Sequence, residues 1–486
     1  MDRARNESWC LLVIPLVLGS CTTGGSRRVP PPLSCTPYCE DRTCGEDGCG
    51  GTCGTCEEGT FCEPFLGRCF EGSGGVLTGS LGLMQRPGHL LPGGGVELED
   101  ARWIGALGAI LVVASADGEV LGAGEVNSRD GDFRVTTSRA LRPGDRLVVT
   151  TWWAPKGTVV LAVLRPPEGE FHESTPLSPW SWVVETGGRA DLGTLTVTEA
   201  EGSGALYLFV LARQVQQSVL DSVLSGDALP LVRLGVVWGP GTVFGCGACF
   251  ASTLGFQIEG GPRMLQSVLI DDDPTMGGPW SWPVLLHEMG HYVAENYSRD
   301  DSPGGSHFLG QKLPPAFAWS EGWASFFGAM IASEWSGEPQ PYYWDIQPGG
   351  SFWIDYDAGR VDDRSDVRPP VPAQGQNQDL DETWVTHFLW HLREGDGGAA
   401  TRGGLYDDPG ILWTFGSKRM KTMDRAGAGT DLVDFLDALA CRDREGTGRL
   451  WSFAREEMGF PWDGDPSCPS AVARTQGPDP FEEPQR

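Results

Sequence analysis

The chain carries the stretch WPVLLHEMGHYV from Trp282 to Val293. Its apolar residues recur as they do on one side of an α-helix, and a proline at the second position suits the first helical turn. Residues four apart share a helix face, so His287 and His291 would present two imidazoles one turn apart. That spacing fits one Zn²⁺, while Glu288, about 100° round the helix, is placed to act as a general base on water.

A chance pair of core histidines flanking a glutamate is the alternative to a metal site. The chain has only seven histidines, so such a pair inside a helical pattern is a rare coincidence. Metzincins would place a glycine and a histidine at the third and sixth positions after His291. Ala294 and Tyr297 stand there instead, which excludes that class.

A third ligand is predicted about thirty residues downstream. The segment Ala318–Phe327 (AWSEGWASFF) predicts a second helix, entered after two prolines and ending near Gly337. Glu321 is the acid of this apolar, aromatic segment, and a buried carboxylate is costly without a partner such as zinc. Gly322 and Ala324 are small enough for close helix packing. A glutamate on the protein surface is the alternative.

The two segments together resemble the gluzincin zinc metallopeptidases, in which H-E-x-x-H precedes a glutamate on a second helix. The order H-E-x-G-H, S-x-G-G-x-H (Ser302–His307) and W-S-E-G-W-A is similar in particular to bacterial exported proteins, over roughly residues 200–465. The resemblance implies a zincin-like α+β domain. It also implies His287, His291 and Glu321 as Zn²⁺ ligands and Glu288 as the catalytic base.

One position departs from the thermolysin branch, where an aspartate four residues after the ligand glutamate orients a zinc-bound histidine. Ser325 stands there, so we expect other residues to orient the histidines. A donor for the oxyanion is also required, and His307 ranks first because the preceding glycine pair allows close backbone approach. The other candidates are His387, His391, Tyr342 and Tyr343. A structural role is the alternative for each of them.

Length and charge limit the classes of function. A chain of 486 residues exceeds one ordinary hydrophobic core and predicts two or three domains. The formal net charge of −29 argues against a nucleic-acid partner, which requires a basic surface. We therefore expect a soluble, acidic exterior.

Residues 1–21 are predicted to be an export signal. Their apolar run Leu11–Leu18 is too short to span a bilayer permanently. The end of this segment, LGSC, resembles the bacterial lipobox, which implies cleavage before Cys21, lipidation of its thiol and anchoring to a membrane. Thr22 favours the outer membrane of the cell envelope. A plain secretory signal is the alternative, and residues 22–34 form a flexible tether.

Twelve of the fourteen cysteines, all except Cys10 and Cys21, form three groups. Eight lie within residues 35–70, which in an exported chain predicts a small disulfide module; a thiolate zinc cluster is the alternative. The pair in Cys246-Gly247-Ala248-Cys249 predicts a structural disulfide, with metal binding or redox catalysis as alternatives. The last two cysteines, Cys441 and Cys468, are predicted to pair.

Residues 76–198 contain short apolar runs separated by turns, for example Thr158–Leu164, which predicts an antiparallel β-sandwich. The sequence around Asp130–Phe133 and Arg142–Asp145 is similar to carboxypeptidase-regulatory-like domains. The fold class expected for the whole chain is therefore multidomain: a disulfide-rich module, this sandwich and the zincin-like domain.

The metallopeptidase domain is predicted to span residues 200–468, followed by a disordered tail over 469–486. Helical spacing predicts a helix over Ala205–Leu224 and another over Asp381–Glu394. The predicted strands of this domain are Leu231–Trp238, Leu254–Ile258 and Gln266–Ile270. Resemblance to the family implies that an edge strand of such a sheet can hold a peptide by backbone pairing.

These features predict a zinc metallopeptidase that hydrolyses protein or peptide substrates at the cell surface or in the periplasm. Two alternatives stay open. The first is a surface-anchored binding protein with a non-catalytic zinc site, although the intact Glu288 favours catalysis. The second is a zinc hydrolase that acts on a non-peptide substrate.

Overall fold

The protein is described here by a computed structural model. It describes residues 18–20, 39, 43–44, 52–57, 60–63, 68–71, 74–153, 160–165, 175–176, 180–218, 232–258, 261–273, 276–362, 365–394, 405–417 and 420–468. The fold within these ranges is α+β with several sheets. None of the helices described is both long and apolar enough to cross a membrane.

Two four-stranded sheets occupy the region predicted to be a sandwich. The first contains Val76–Gln85, Arg102–Gly105, Asp132–Thr136 and Arg189–Val197. The second contains Ile110–Ala114, Val120–Glu125, Arg146–Thr150 and Trp180–Val183. Apolar side chains of both sheets belong to one buried cluster, as sandwich packing requires. The pairing is antiparallel except between Val76–Gln85 and Arg189–Val197, which run parallel.

A separate mixed sheet corrects one expectation. Leu161–Arg165, predicted to belong to the sandwich, instead pairs in parallel with Leu234–Val237. That strand in turn pairs in parallel with Gly261–Leu269, and Cys249–Ile258 closes the edge in antiparallel. Leu161, Ala162, Val163 and Leu164 are all buried, which is typical of strands covered on both faces of a parallel sheet. The short strands Trp152–Trp153 and Thr175–Pro176 also pair with Leu161–Arg165.

Seven α-helices complete the described part of the chain. They are α1 (Ser203–Ser218), α2 (Trp282–Tyr297), α3 (Pro315–Ser336), α4 (Glu382–Glu394), α5 (Asp408–Phe415), α6 (Leu432–Arg442) and α7 (Thr447–Ser452). The first four confirm helices predicted from apolar periodicity. Helix α3 ends at Gly337, whose φ of 77° provides the left-handed conformation of a C-cap.

Glycines allow the three central helices to touch. A Cβ atom added at Gly290 of α2 would lie 2.6 Å from the Cα of Ala324 in α3. One added at Gly322 of α3 would lie 2.6 Å from the Cβ of Val385 in α4. The close helix packing predicted from Gly322 and Ala324 is therefore confirmed, and it brings α2 and α4 against opposite sides of α3.

Shorter elements connect this frame. The paired strands are Thr60–Glu63 with Arg68–Glu71, Gly88–Leu90 with Val96–Leu98, Lys312–Leu313 with Leu380–Asp381, and Leu18–Ser20 with Gly305–His307. A four-stranded sheet contains Tyr342–Gln347, Gly350–Asp355, Arg360–Val361 and Ser365–Asp366. The 3₁₀ turns are Glu199–Glu201, Gly278–Trp280, Pro372–Gln374 and Met420–Thr422, and a π turn spans Phe453–Glu457.

Disulfides confirm the expectations from cysteine spacing. Cys246 pairs with Cys249, and Cys441 pairs with Cys468. In the N-terminal module the described bonds are Cys39–Cys53 and Cys56–Cys69. A disulfide sulfur is not a thiolate, so these cysteines do not form the alternative zinc cluster.

Several predicted features lie outside the described residues. They are residues 11–17 of the apolar run of the export signal, Cys21, the tether over 22–34, the end of the helix predicted over Ala205–Leu224, and the tail over 469–486.

Candidate metal centre

Three predicted ligands converge at the junction of α2 and α3. The Nε2 atoms of His287 and His291 are 3.2 Å apart. Oε2 of Glu321 lies 3.3 Å from Nε2 of His287 and 3.2 Å from Nε2 of His291. All three side chains are buried. The sequence therefore predicted correctly which side chains the fold would bring together.

The triangle of these three atoms has the size that tetrahedral zinc requires. Bonds of about 2.0–2.1 Å to nitrogen and oxygen place neighbouring ligand atoms roughly 3.3–3.4 Å apart. The three distances of 3.2, 3.2 and 3.3 Å match this edge length. Two imidazoles and one carboxylate also form the donor set of a catalytic zinc site, which leaves one position for water or substrate.

The orientation of His287 corrects an expectation. Its Nδ1 atom lies 2.9 Å from the Oγ atom of Ser325, the residue expected to leave the histidine without a local partner. A hydroxyl oxygen accepts a hydrogen bond as a carboxylate does, so Ser325 performs the orienting role that the sequence analysis gave to other residues. With Nδ1–H donating to Ser325, the Nε2 lone pair faces Glu321.

His291 is oriented through a two-step hydrogen-bond chain. Its Nδ1 atom lies 3.4 Å from Oγ of Ser320, and that hydroxyl donates to Oδ2 of Asp300 over 2.9 Å. Because the serine proton is directed to Asp300, its oxygen is available to accept from Nδ1–H of His291. The contact selects the tautomer with a free Nε2 lone pair, which is the form that binds a metal.

Glu288 is held beside the ligands by the edge of the mixed sheet. Its Oε2 atom accepts a hydrogen bond of 2.7 Å from the backbone N–H of Phe250 in the edge strand Cys249–Ile258. Burial raises the pKa of Glu288, and this outweighs the opposite effect of the two histidines. A carboxyl group with a raised pKa suits proton transfer near neutral pH.

The charges of His291 and Glu321 shift each other's pKa. Burial disfavours charge on both partners, but the adjacent Glu321 carboxylate outweighs it and raises the pKa of His291 to about 9. For Glu321, burial acts against ionisation, yet the two histidines hold its pKa below the usual range. Both shifts favour a protonated His291 beside an ionised Glu321 in the absence of metal, so a metal bound by these residues would displace that proton.

His307 reaches the cluster from the other side of Glu321. Its Nε2 atom lies 3.8 Å from Oε2 of Glu321 and 3.1 Å from Oε2 of Glu382, the first residue of α4. Its Nδ1 atom lies 3.2 Å from the carbonyl oxygen of Gly305. The ring is buried and its Nε2 faces carboxylates, so an oxyanion role for His307 stays a prediction.

The other candidate oxyanion donors differ in position and burial. Nδ1 of His387 bonds to the carbonyl of Tyr356, and Nε2 of His391 lies 3.0 Å from the carbonyl of Asp357, so this pair lies away from the three ligands. Tyr343 is buried, and its ring centroid is 6.1 Å from that of His287. Burial raises the pKa of Tyr343 far above the ordinary phenol value, which leaves it a protonated donor. Tyr342 is only half-buried.

Four polar residues at this centre were not predicted from the sequence: Asp300, Ser320, Ser325 as an acceptor, and Glu382. The sequence showed Glu382 as an acid at the start of the predicted helix Asp381–Glu394, but acids are common at that position. No motif linked Glu382 to His287 and His291.

The chain matches no protein-family model, and no curated protein matches it. Functional assignment therefore rests on the geometry and chemistry of these residues.

Proposed function

We propose that the protein is a zinc metallopeptidase of the gluzincin type. The observation that carries this proposal is the triangle formed by Nε2 of His287, Nε2 of His291 and Oε2 of Glu321, whose edges of 3.2, 3.2 and 3.3 Å are close to those of tetrahedral zinc. A general base, Glu288, lies beside that triangle. A site that served structure alone would gain nothing from a buried base at this position.

The residues divide the work of peptide hydrolysis. Zinc held by His287, His291 and Glu321 would supply Lewis acidity for the scissile carbonyl and lower the pKa of water. Glu288 accepts a proton from the attacking water and returns it to the leaving amine. Its bond to Phe250 fixes the carboxylate while leaving Oε1 for the proton. Two buried side chains are candidate donors to the oxyanion: His307, which the sequence predicts, and the protonated phenol of Tyr343.

The edge strand Cys249–Ile258 favours a peptide substrate. Within the described part of the chain it is the last strand of the mixed sheet, and the N–H of Phe250 donates to Glu288 rather than to a neighbouring strand. An extended peptide can add to such an edge by backbone hydrogen bonds, which would place its carbonyl next to the base.

We further propose that the enzyme acts in the bacterial cell envelope, anchored through a lipid on Cys21, so that processing removes the strand Leu18–Ser20 from its pairing with Gly305–His307. The lipobox-like LGSC and the disulfides seen among the described residues support this location, because disulfides persist outside the reducing cytosol. Mass spectrometry of the mature N-terminus tests it. A diacylglyceryl mass on Cys21 is the expected result, and an unmodified Cys21 would contradict the proposal.

The decisive experiment measures metal content and cleavage together. Wild type, Glu288→Gln and a surface control, Glu338→Gln, are purified and assayed for zinc by mass spectrometry and for casein cleavage with and without chelator. Zinc in all three is expected, with chelator-sensitive cleavage in wild type and Glu338→Gln alone. Loss of 10²-fold or more in Glu288→Gln would match removal of a general base.

Two results would count against the proposal. A folded wild-type protein that holds no zinc would refute the ligand assignment. Zinc without cleavage of casein or of a diverse peptide library would refute the peptidase activity and turn attention to the binding or non-peptide alternatives.

A further inference from the structure

A second group of potential ligands lies directly beside the first. It consists of His307, Glu321 and Glu382, whose ligand atoms all lie within 4.8 Å of one another. The three residues are buried and come from separate elements: the strand Gly305–His307, helix α3 and the first position of α4. Glu321 Oε2 belongs to both groups. We propose that this group binds a second divalent transition-metal ion, so that the centre is dinuclear with Glu321 as the shared ligand.

Two buried atoms of this group have no hydrogen-bond partner. Nε2 of His307 and Oε2 of Glu382 are 3.1 Å apart, but they are not aligned for a hydrogen bond, and neither has another. Buried polar atoms are nearly always satisfied, and each exception requires an explanation. Nε2 of His307 and Oε2 of Glu382 lie close together without a hydrogen bond between them. This is the arrangement expected of two ligands that bind the same ion.

Charge gives a second, independent reason. Glu288, Glu321 and Glu382 are all buried within the same centre. Among the described residues neither lysine nor arginine forms an ion pair with any of them. Glu321 and Glu382 pair with histidines, and Glu288 accepts a hydrogen bond from the backbone N–H of Phe250. When all three are ionised they carry −3, so one divalent ion leaves −1, and uncompensated charge is costly in this medium. A second divalent ion together with one bound hydroxide makes the group neutral.

The fold places Glu382 at this position by close packing. Helix α4 begins at Glu382. The backbone carbonyl oxygen of Glu382 would lie 2.9 Å from a Cβ atom added at Gly322. The pairing of Lys312–Leu313 with Leu380–Asp381 ties the residues before α3 to those before α4. Any larger residue at position 322 would move Glu382 away from Glu321.

The ligand type limits the ion. One imidazole and two carboxylates suit Zn²⁺ or Mn²⁺ better than Ca²⁺ or Cu⁺. The distances from Nε2 of His307, 3.1 Å to Glu382 and 3.8 Å to Glu321, are less regular than those of the first triangle. The second ion should therefore bind more weakly than the first. In dinuclear hydrolases two ions together stabilise the attacking and leaving groups.

This inference rests on the proposed function only in sharing Glu321, and its test has a separate readout. Purified protein loaded with one equivalent of Zn²⁺ is titrated with Mn²⁺ while free Mn²⁺ is followed by electron paramagnetic resonance. Total metal is then counted by mass spectrometry. The same titration is run on Glu382→Gln, on His307→Gln and on two exposed controls, Glu338→Gln and His89→Gln.

Wild type and both controls should bind one Mn²⁺ beside one Zn²⁺, whereas Glu382→Gln and His307→Gln should keep Zn²⁺ and lose at least tenfold in Mn²⁺ affinity. Circular dichroism confirms that each variant is folded, and either variant alone decides the matter if the other fails to fold. Wild type that stays at one metal per chain, or variants that bind Mn²⁺ as wild type does, would overturn the second site. In that case one bound zinc with full peptidase activity would still support the proposed function. Absence of zinc would contradict both the proposed function and the second metal site.

Discussion

Substitution of Gly290 by alanine should damage stability and zinc binding together. The added Cβ would lie 2.6 Å from Cα and 2.8 Å from the carbonyl oxygen of Ala324. These are backbone atoms of α3, so no side-chain rotation can relieve the contact. Ordinary contact requires 3.4–4 Å, and the two helices must therefore separate by roughly 1 Å.

The size of the effect follows from two opposed terms. Overpacking in a close-packed core costs about 1–3 kcal/mol. Replacement of glycine by alanine inside a helix returns about 1 kcal/mol. The net loss should thus reach about 2 kcal/mol at its largest. A shift of this size also moves His287 and His291 relative to Glu321, and zinc affinity should fall about 10–100-fold, as it does when ligand support is lost.

Urea unfolding of the metal-free protein measures the first effect, and competition with a chromogenic chelator measures the second. Gly448→Ala is the matched control, because Gly448 lies in helix α7 and a Cβ there meets nothing within 4 Å. It should gain up to about 1 kcal/mol and bind zinc normally. If Gly290→Ala also gained stability and kept its zinc affinity, contact between α2 and α3 would not set the geometry of the centre.

Three further predictions follow from individual contacts. Ser320→Ala removes the acceptor for Nδ1 of His291 and should weaken zinc binding about 10–100-fold in the same competition assay, with unchanged circular dichroism. Asp431 caps α6, and burial raises its pKa to about 7, so the folded state retains a proton that the unfolded chain loses near pH 3.8. Stability should consequently decline between about pH 4 and 7, and Asp431→Asn should flatten this decline in urea unfolding; an unchanged slope would refute it. Replacing both Cys441 and Cys468 by serine should cost about 2–4 kcal/mol of unfolding free energy, and a smaller loss would show that the C-terminal helices hold this loop without the bond.

Features encoded by local spacing could be predicted from the sequence. His287 and His291 share a face in any regular helix, so their convergence needed only that α2 form. Glu321 was placed because an acid in an apolar helix must have a partner. Neither inference required knowledge of the sheet topology.

Features that depend on tertiary packing could not be predicted. Leu161–Arg165 has the same apolar texture as a sandwich strand, and only its burial on both faces shows that it belongs to the parallel sheet. Glu382 looks in sequence like any acid at a helix start, and its place beside Glu321 depends on how α4 packs against Gly322. Ser325 was not expected to orient a histidine, because the thermolysin branch has an aspartate at that position. A serine hydroxyl can nevertheless accept the hydrogen bond from Nδ1 of His287.

Helix α3 links the two groups of ligands. Its Gly328 would place a Cβ atom 3.2 Å from the backbone of Leu286 in α2, while its Gly322 meets Val385 in α4. One helix therefore fixes the distance to the two histidines on one side and to Glu382 on the other, with Glu321 between them. Because backbone atoms of both neighbouring helices would lie closer than ordinary van der Waals distance to a Cβ atom added at these glycines, a change in one separation is transmitted through a rigid element to the other. We accordingly expect Gly322→Ala to weaken the second metal site first, and the histidine site only to the extent that α3 itself moves.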